Sequence, residues 1–404
     1  MIDLEKKSLR YRITVAITLL VAILLFFLIL YNEAPLKRGK TTLYLPSSSV
    51  DSVIKTLAKN GYELNDIDRF VLEHVNLPKK GWYQIDTTEI GRYFFLRSLH
   101  KMQAKTMRIV VFAGETRKEM LHRLARDMFL SEAKLDKYYR KFSRFKEGNI
   151  LAGTYILARS ADEETVMRYL FEKSDQKIDR FAKEHFGNNY SKAQLLETLI
   201  IASIIQKESN DIKEMPSISS VIRNRLKKGM RLQMDGTLNY GKYSHTIVTP
   251  ERIKRDKSEY NTYKHKGLIP APLSNVSLES LKAAALPSRS KYLFFVLNEK
   301  GKHVFASTYK KHLKNVKEFK IYCQEREKKK QEKHKKNSKR QKLLKKACQV
   351  SLSRENNESN RTGSSSTSID HNQSSAVHLK RNKEKSGENN RSNSPSKVPK
   401  IKAG

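Results

Sequence analysis

Glu208 closes an apolar run, "IIASIIQKES" at residues 200–209, and a carboxyl group so placed has the makings of a proton donor. Leu195, Leu196, Leu199, Ile200, Ile201, Ile204 and Ile205 spread around the turn, which predicts a helix buried on almost every side. The C-terminal end of a helix carries partial negative charge, and an apolar surround penalises ionisation. Both raise a carboxyl pKa. A general acid needs that shift, because it must hold its proton near neutral pH. The competing reading is a helix-end glutamate wetted beside Lys207.

Two further stretches supply polar partners. "SVIRNRLKKGMRLQMDGTLNYG" sets Asn224, Gln233 and Asp235 among apolar residues. Gln233 and Asp235 alternate with Leu232 and Met234, so an extended strand would turn both side chains to one face. "YNTYKHKGLIPAP" (260–272) places Tyr260 and Tyr263 around Asn261 and Thr262. Flat aromatic faces with polar rims suit a sugar, although an ordinary turn-rich loop has the same composition.

The elements that must position these groups follow from periodicity. "TTLYL" (41–45), "GWYQI" and "MRIVVFAG" (107–114) have strand composition. "SSSVDSVIKTLAKNG" and "ETRKEMLHRLARDM" have helical spacing, the first stopped by Gly61. "EGNILAGTYIL" (147–157) leads into another β-rich run, giving a small α/β module. From Ala161 helices dominate, with one over "SISSVIRNRLKKG" that Gly229 should cap. "KYLFFVLNEKGKHVFAS" reads as a hairpin with "EKGK" at its turn. No internal repeat is evident.

Taken together, "ASIIQKES", "SVIRNRLKKGMRLQMDGTLNYG", the 260–296 stretch and "GKHVFASTYKKHLKNV" resemble the successive motifs of the YceG-like endolytic murein transglycosylase family. The likeness runs in order through about residues 195–316, and the segments before it resemble the family's weaker membrane-proximal part. The resemblance implies an α+β protein with a membrane-proximal α/β region at 41–160 that includes a LysM-like subdomain, and a mainly helical catalytic domain at 161–320. It implies cleavage within peptidoglycan glycan strands at the MurNAc-β-1,4-GlcNAc bond, leaving 1,6-anhydro-MurNAc ends. The family's catalytic glutamate falls on Glu208, and substrate contacts would come from Asn224, Gln233, Asp235, Tyr260, Asn261, Thr262 and Tyr263. Three positions depart from the family pattern: Ser209 for Thr, Gly236 for Pro and Ile269 for Pro.

Other readings stay open. A hydrolase could pair Glu208 with Asp235 as a second carboxylate. A non-catalytic, membrane-anchored peptidoglycan-binding or division-scaffold protein could carry the same surface without the chemistry. The net charge of +38 in 404 residues raises a nucleic-acid partner, but no nucleic-acid fold signature accompanies it, so none is expected. His-Glu-x-x-His, a Walker loop and a Rossmann fingerprint are all missing from the sequence, and no metal or organic cofactor is expected.

The charge is uneven. Residues 321–404 hold 22 Lys and Arg against 8 Asp and Glu, a net +14 in a tail expected to be largely disordered. Within it, "EREKKKQEKHKKNSKRQKLLKKA" could form a basic helix, with few apolar positions to give it a partner. Cys323 and Cys348, the only cysteines, match no metal spacing, and a bridge between them stays open. At the other end, Ile13–Leu30 carries no charge and as a helix would be about 27 Å long, near the hydrocarbon thickness of a bilayer. It is expected to be an uncleaved anchor over 13–31 rather than a signal peptide, because no small-x-small site follows Leu30. Lys6, Lys7, Arg10 and Arg12 precede it, and Lys37, Arg38 and Lys40 follow, so the positive-inside bias toward a cytoplasmic N-terminus at 1–12 is slight. With the resemblance, the expected place is the bacterial inner membrane, with the catalytic domain periplasmic and cell-wall synthesis or division proteins as natural partners.

Overall fold

The apolar run forms part of one helix, α1 (Ile2–Glu33), in a computed structural model that describes residues 2–33, 36, 39–86 and 89–359. Within Tyr11–Glu33 an 18-residue window has a mean hydropathy of 3.2 and is unburied, so the helix is long and apolar enough to cross a membrane. Lys37 and Arg38 lie outside the described residues.

Next come β1 (Thr42–Leu45), α2 (Val50–Lys59), α3 (Asp66–His74), β2 (Gly81–Gln84) and α4 (Arg92–Ser98). β1 pairs antiparallel with β2, Leu43 opposite Tyr83. Leu43, Leu57, Leu72, Tyr83, Phe95 and Leu99 make the core. Asn65 caps α3: its side chain accepts the Asp68 N–H, and the Asp68 carboxylate accepts the Asn65 N–H at 2.7 Å.

The same order recurs in β3 (Thr106–Val111), α5 (Arg117–Met128), α6 (Glu132–Phe142) and β4 (Gly153–Ala158), with β3 antiparallel to β4. The chain therefore contains two consecutive strand–helix–helix–strand units. Thr116 opens α5 with a capping box to Glu119. Trp82 bridges the two units by donating its indole N–H to the Ile156 carbonyl at 2.7 Å. Its ring lies 5.2 Å from Tyr44 and 4.9 Å from Tyr169 on α7 (Glu163–Phe186).

The helical part holds α8 (Lys192–Glu208), α9 (Met215–Lys227), the short α10 (Pro250–Arg255) and α11 (Leu278–Ala285). Gly229 follows α9 at φ +63°, the left-handed stop its position predicts. Among the described residues, those up to 246 with 255–290 make one compact unit, and 247–254 with 291–359 make a second. In the second unit the hairpin β5 (Phe294–Leu297) and β6 (His303–Ala306) packs with α12 (Tyr309–Ser359).

α12 carries the basic helix that the tail's sequence allows. The chain after 321 is helical as far as Ser359 and rich in Lys, Glu, Gln and Arg, which favour helix without needing a packed face. Its described side chains beyond 323 are exposed, consistent with the few apolar partners its sequence offers. Residues 360–404 lie outside the described ones, as does the Cys348 side chain, while Cys323 is a free thiol.

Candidate active site

α8 is buried around most of its circumference, from Leu195 through Gln206, and begins with a capping box between Ser191 and Gln194. Two of its buried polar groups dock the loop before α11. Ser203 Oγ accepts the Leu273 N–H at 3.0 Å, and Gln206 Oε1 accepts from Ser277 Oγ at 2.8 Å. The helix is thereby fixed at its sides, and its last residue is Glu208. Ser209 turns the chain away in extended conformation, with its Oγ accepting the Asp211 N–H at 3.0 Å.

Glu208 Oε1 accepts the Gly236 backbone N–H at 3.0 Å. Burial pushes this carboxyl up to about 7, with the negative Asp235 adding to the rise, while the Gly236 N–H and the Arg225 guanidinium pull against it. Gly236 lies so close that a Cβ there would sit 2.9 Å from Oε1 and 2.8 Å from the Lys207 Cβ. The departure from Pro at 236 therefore has a physical content: this chain uses an N–H that proline lacks.

The 230–238 segment corrects an expectation. It is not an extended strand: Gln233 takes φ +48°, and Asp235–Leu238 form a 3-10 turn. The left-handed residue breaks the alternation, so Gln233 is exposed while Asp235 turns toward the acid. Gln233 contributes its backbone, donating its N–H to the Thr262 carbonyl at 3.1 Å. Asp235 Oδ1 accepts the Tyr263 hydroxyl at 2.6 Å. Burial, then the charge of Asp235, raises the Tyr263 phenol, which keeps it a donor.

The 260–263 loop divides into two roles. Tyr260 lies half-buried and stacks on Tyr240, with ring centroids 4.7 Å apart. Asn261 and Thr262, expected as substrate contacts, are 0 % and 1 % exposed and hold the loop together instead. Asn261 Nδ2 donates to the Asp256 carbonyl at 2.8 Å, and Thr262 Oγ1 accepts the Met234 N–H at 3.1 Å. Polar residues in a tight loop look like ligands in sequence, yet the loop's own buried backbone needs them. Asn224 is likewise turned inward, donating to the Ser290 carbonyl at 2.9 Å and to Ser220 Oγ at 3.3 Å. The structure thus brings together Glu208, Asp235, Tyr263 and the Gly236 N–H, with the Gln233 and Asn224 side chains engaged elsewhere or exposed.

Four functional-looking groups carry no assigned role in the sequence reading. Arg225, 8 % exposed, donates to the Leu232 carbonyl and opposes the Glu208 charge. Its signal was its spacing, three and four residues after the core residues Ile222 and Val221. Tyr240 faces Tyr260. Lys207, next to the acid, donates to the Gly114 carbonyl at 2.7 Å, and burial pushes its ammonium down. Glu147 is 5 % exposed, accepts the Arg117 N–H at 2.9 Å, and is pushed by burial to about 7. Its charge is felt by Lys207, Tyr240 and Tyr260. Beside Tyr260 a cleft of about 700 Å³ opens between Phe145, Lys146, Lys192 and Leu196. The arrangement can present one proton-holding carboxyl, a rigid carboxylate next to it, and aromatic faces for a flat ligand.

The model of the YceG-like family matches residues 45–318. Over 208 residues the chain is 28% identical to the endolytic murein transglycosylase of Bacillus subtilis (strain 168), covering 49% of this chain and 57% of that one. Over 178 residues it is 29% identical to the endolytic murein transglycosylase of Streptococcus pneumoniae (serotype 2, strain D39), covering 43% and 32%. The chain therefore spans less than two thirds of either relative. A crystal structure of a YceG-like protein from Listeria monocytogenes aligns at 24% identity with a TM-score of 0.45, over 68% of this chain and 97% of that one.

Proposed function

The chain belongs to the YceG-like family, and on that premise we propose that it is a membrane-anchored lytic transglycosylase that cuts within peptidoglycan glycan strands. The observation that carries this is Glu208: a half-buried carboxyl at the end of a fixed helix, held by one N–H and pushed up to about 7. At neutral pH such a group is protonated often enough to donate, and ionised readily enough to take a proton back.

Glu208 protonates the glycosidic oxygen between MurNAc and GlcNAc as the C1–O bond breaks. The carboxylate so formed then takes the proton of the C6 hydroxyl on the same MurNAc, whose oxygen closes on C1 as a 1,6-anhydro ring. No water is consumed. The nucleophile is part of the substrate, so one carboxyl serves both steps where ordinary glycosidases set two across the bond. Asp235, fixed by Tyr263, keeps negative charge beside Glu208 and favours its protonated form. Tyr240 and Tyr260 offer a stacked aromatic wall, and the cleft beside Tyr260 has room for more of the strand. Among the residues with exposed or half-buried side chains, Gln233, Tyr260 and Tyr263 are the substrate contacts in this reading.

Residues 161–320 supply the catalytic part, and α1 holds the chain in the inner membrane with the rest outside the cytoplasm. The two-stranded β1–β2 sheet with α2 and α3 supports a LysM-like reading of the membrane-proximal region. The chemistry of the ends tests the function. Full-length protein in detergent should leave strands whose new MurNAc ends resist borohydride reduction. Reducible MurNAc ends would instead establish a hydrolase, and intact strands bound to the protein a binding module.

A further inference from the structure

The apolar run of α1 ends at Leu30, and the two residues after it are firmly held. Tyr31 donates its hydroxyl to Asp68 Oδ1 at 2.6 Å, and Asn32 Oδ1 accepts the Tyr93 N–H at 3.2 Å. Gly91, at φ +92°, backs onto the Asn32 side chain so closely that a Cβ there would collide with it. Asp68 is 0 % exposed and takes two bonds from Arg92, itself 7 % exposed, at 2.7 and 2.6 Å. Burial alone would raise the Asp68 carboxyl, yet the bonds from Arg92, Tyr31 and the Asn65 N–H hold it below the usual range. α3 and α4 are therefore pinned to the end of the apolar helix.

α3 has three faces rather than two. Asp68 and Leu72 point into the core. Asp66, Arg69 and Glu73 share a second face, where Arg69 pairs with Asp51 at 2.8 Å and with Glu73 at 3.4 Å. The third face, an arc of roughly 60° at helical spacing, carries Ile67 at 54 % and Phe70 at 62 % exposure, with the His74 ring tilted 4.3 Å from that of Phe70. On α4, Phe94 is 50 % exposed, turned away from the buried Arg92, Phe95 and Leu96, and Ile90 just before the helix is 43 % exposed. Each of these four residues lies within two positions of Asp68, Gly91 or Tyr93, the groups that touch Tyr31 or Asn32.

We propose that Ile67, Phe70, Ile90 and Phe94 form a membrane-contact face that dips into the interfacial layer of the bilayer holding α1. The inference rests on the reading of α1 as membrane-inserted and goes beyond the catalytic assignment. The headgroup layer is about 5–7 Å deep on each side of the hydrocarbon, and residues 31 and 32 fall in it by their place after the apolar run. Side chains pinned within a few residues of that point share its depth, where aromatic and branched apolar groups are favoured. Continuity with the span selects lipid over a protein partner, and the charged face of α3, paired toward α2, is left for water.

The test uses full-length protein in vesicles of phosphatidylethanolamine and phosphatidylglycerol, with or without bromine on the shallow part of the acyl chains. Trp82 is the sole tryptophan and is 4 % exposed in the core, so it gives a constant background. In Phe70→Trp and Phe94→Trp the added indole should emit to the blue and be quenched roughly twofold by bromine, as interfacial side chains are. In Phe129→Trp, whose Phe is 96 % exposed on the second module, the added emission should stay red and unquenched. Red, unquenched emission from Phe70→Trp and Phe94→Trp, with the chain still resisting alkaline carbonate extraction, overturns the membrane face and leaves the anchor standing. Blue but unquenched emission overturns it in favour of a second copy or another protein. Release of the chain by carbonate removes the anchor reading and the face with it.

Discussion

The backbone N–H of Gly236 meets the Glu208 carboxyl at 3.0 Å, and there is no room for a side chain between them. With Glu208 as the proposed proton donor, that relationship makes residue 236 a positioning residue. In Gly236→Ala the new Cβ would sit 2.9 Å from Glu208 Oε1 and 2.8 Å from the Lys207 Cβ, both ends of a helix terminus that has little freedom to move. Turnover is expected to fall by about 10- to 100-fold through misplacement of the acid, with KM much less affected. Steady-state assay on purified glycan strands checks it; an unchanged kcat would mean the acid tolerates the shift.

Asp235 works on Glu208 through charge. Burial is the first cause of the raised Glu208 carboxyl and the negative Asp235 the second. A donor must be protonated, so activity should decline as pH rises through about 7. Asp235→Asn removes the like charge and keeps an acceptor for the Tyr263 hydroxyl, so that decline should move to lower pH by about half a unit to one unit. A pH–rate profile with the decline unmoved would place Asp235 outside the acid's environment.

The sequence disclosed Glu208 more readily than its surroundings, for physical reasons. A helix buried on nearly all sides needs apolar residues everywhere, so α8 and the exceptional Glu208 at its end stood out in the periodicity. The strands, α2, α5 and the β5–β6 hairpin were legible in the same way. Loop geometry was not. One left-handed residue, Gln233, turned an apparent strand into a 3-10 turn, and the Asp235–Tyr263 bond depends on that turn. Asn261 and Thr262 read as ligands because composition does not separate a polar group that binds from one that satisfies a buried loop. Glu147 carried no local signal, since the Arg117 N–H it accepts lies 30 residues away.

Stability should depend on pH through the same carboxyls. Glu208 and Glu147 each bind a proton more tightly when folded, at about 7 against an ordinary 4.5. Their contribution is full below the ordinary value and is lost as pH rises through about 7, because only the native state still holds the proton in between. For Glu208 the loss amounts to about 2–3 kcal/mol. Glu208→Gln stays neutral and should therefore melt several degrees higher than the parent at pH 8, with the gap closing near pH 4.5. Calorimetry of the full chain in detergent measures this. A variant less stable than the parent at pH 8 would contradict the raised carboxyl.

The Asp68–Arg92 pair should behave as a buried ion pair. Arg92→Leu strands a carboxylate that is 0 % exposed, at a cost of about 3–5 kcal/mol. Replacing both residues by leucine should recover much of that loss. Hydrogen exchange at core positions such as Leu43, Leu57 and Tyr83 reports it; protection equal to the parent in Arg92→Leu would mean the pair is dispensable.

Mass spectrometry of glycan strands treated with the parent and with Glu208→Gln tests the assignment of the acid most directly. The parent should release fragments ending in 1,6-anhydro-MurNAc, each lighter by one water than its hydrolytic counterpart. The variant should fold, bind strands and release none. Anhydro products at parental levels from Glu208→Gln would contradict the role given to Glu208.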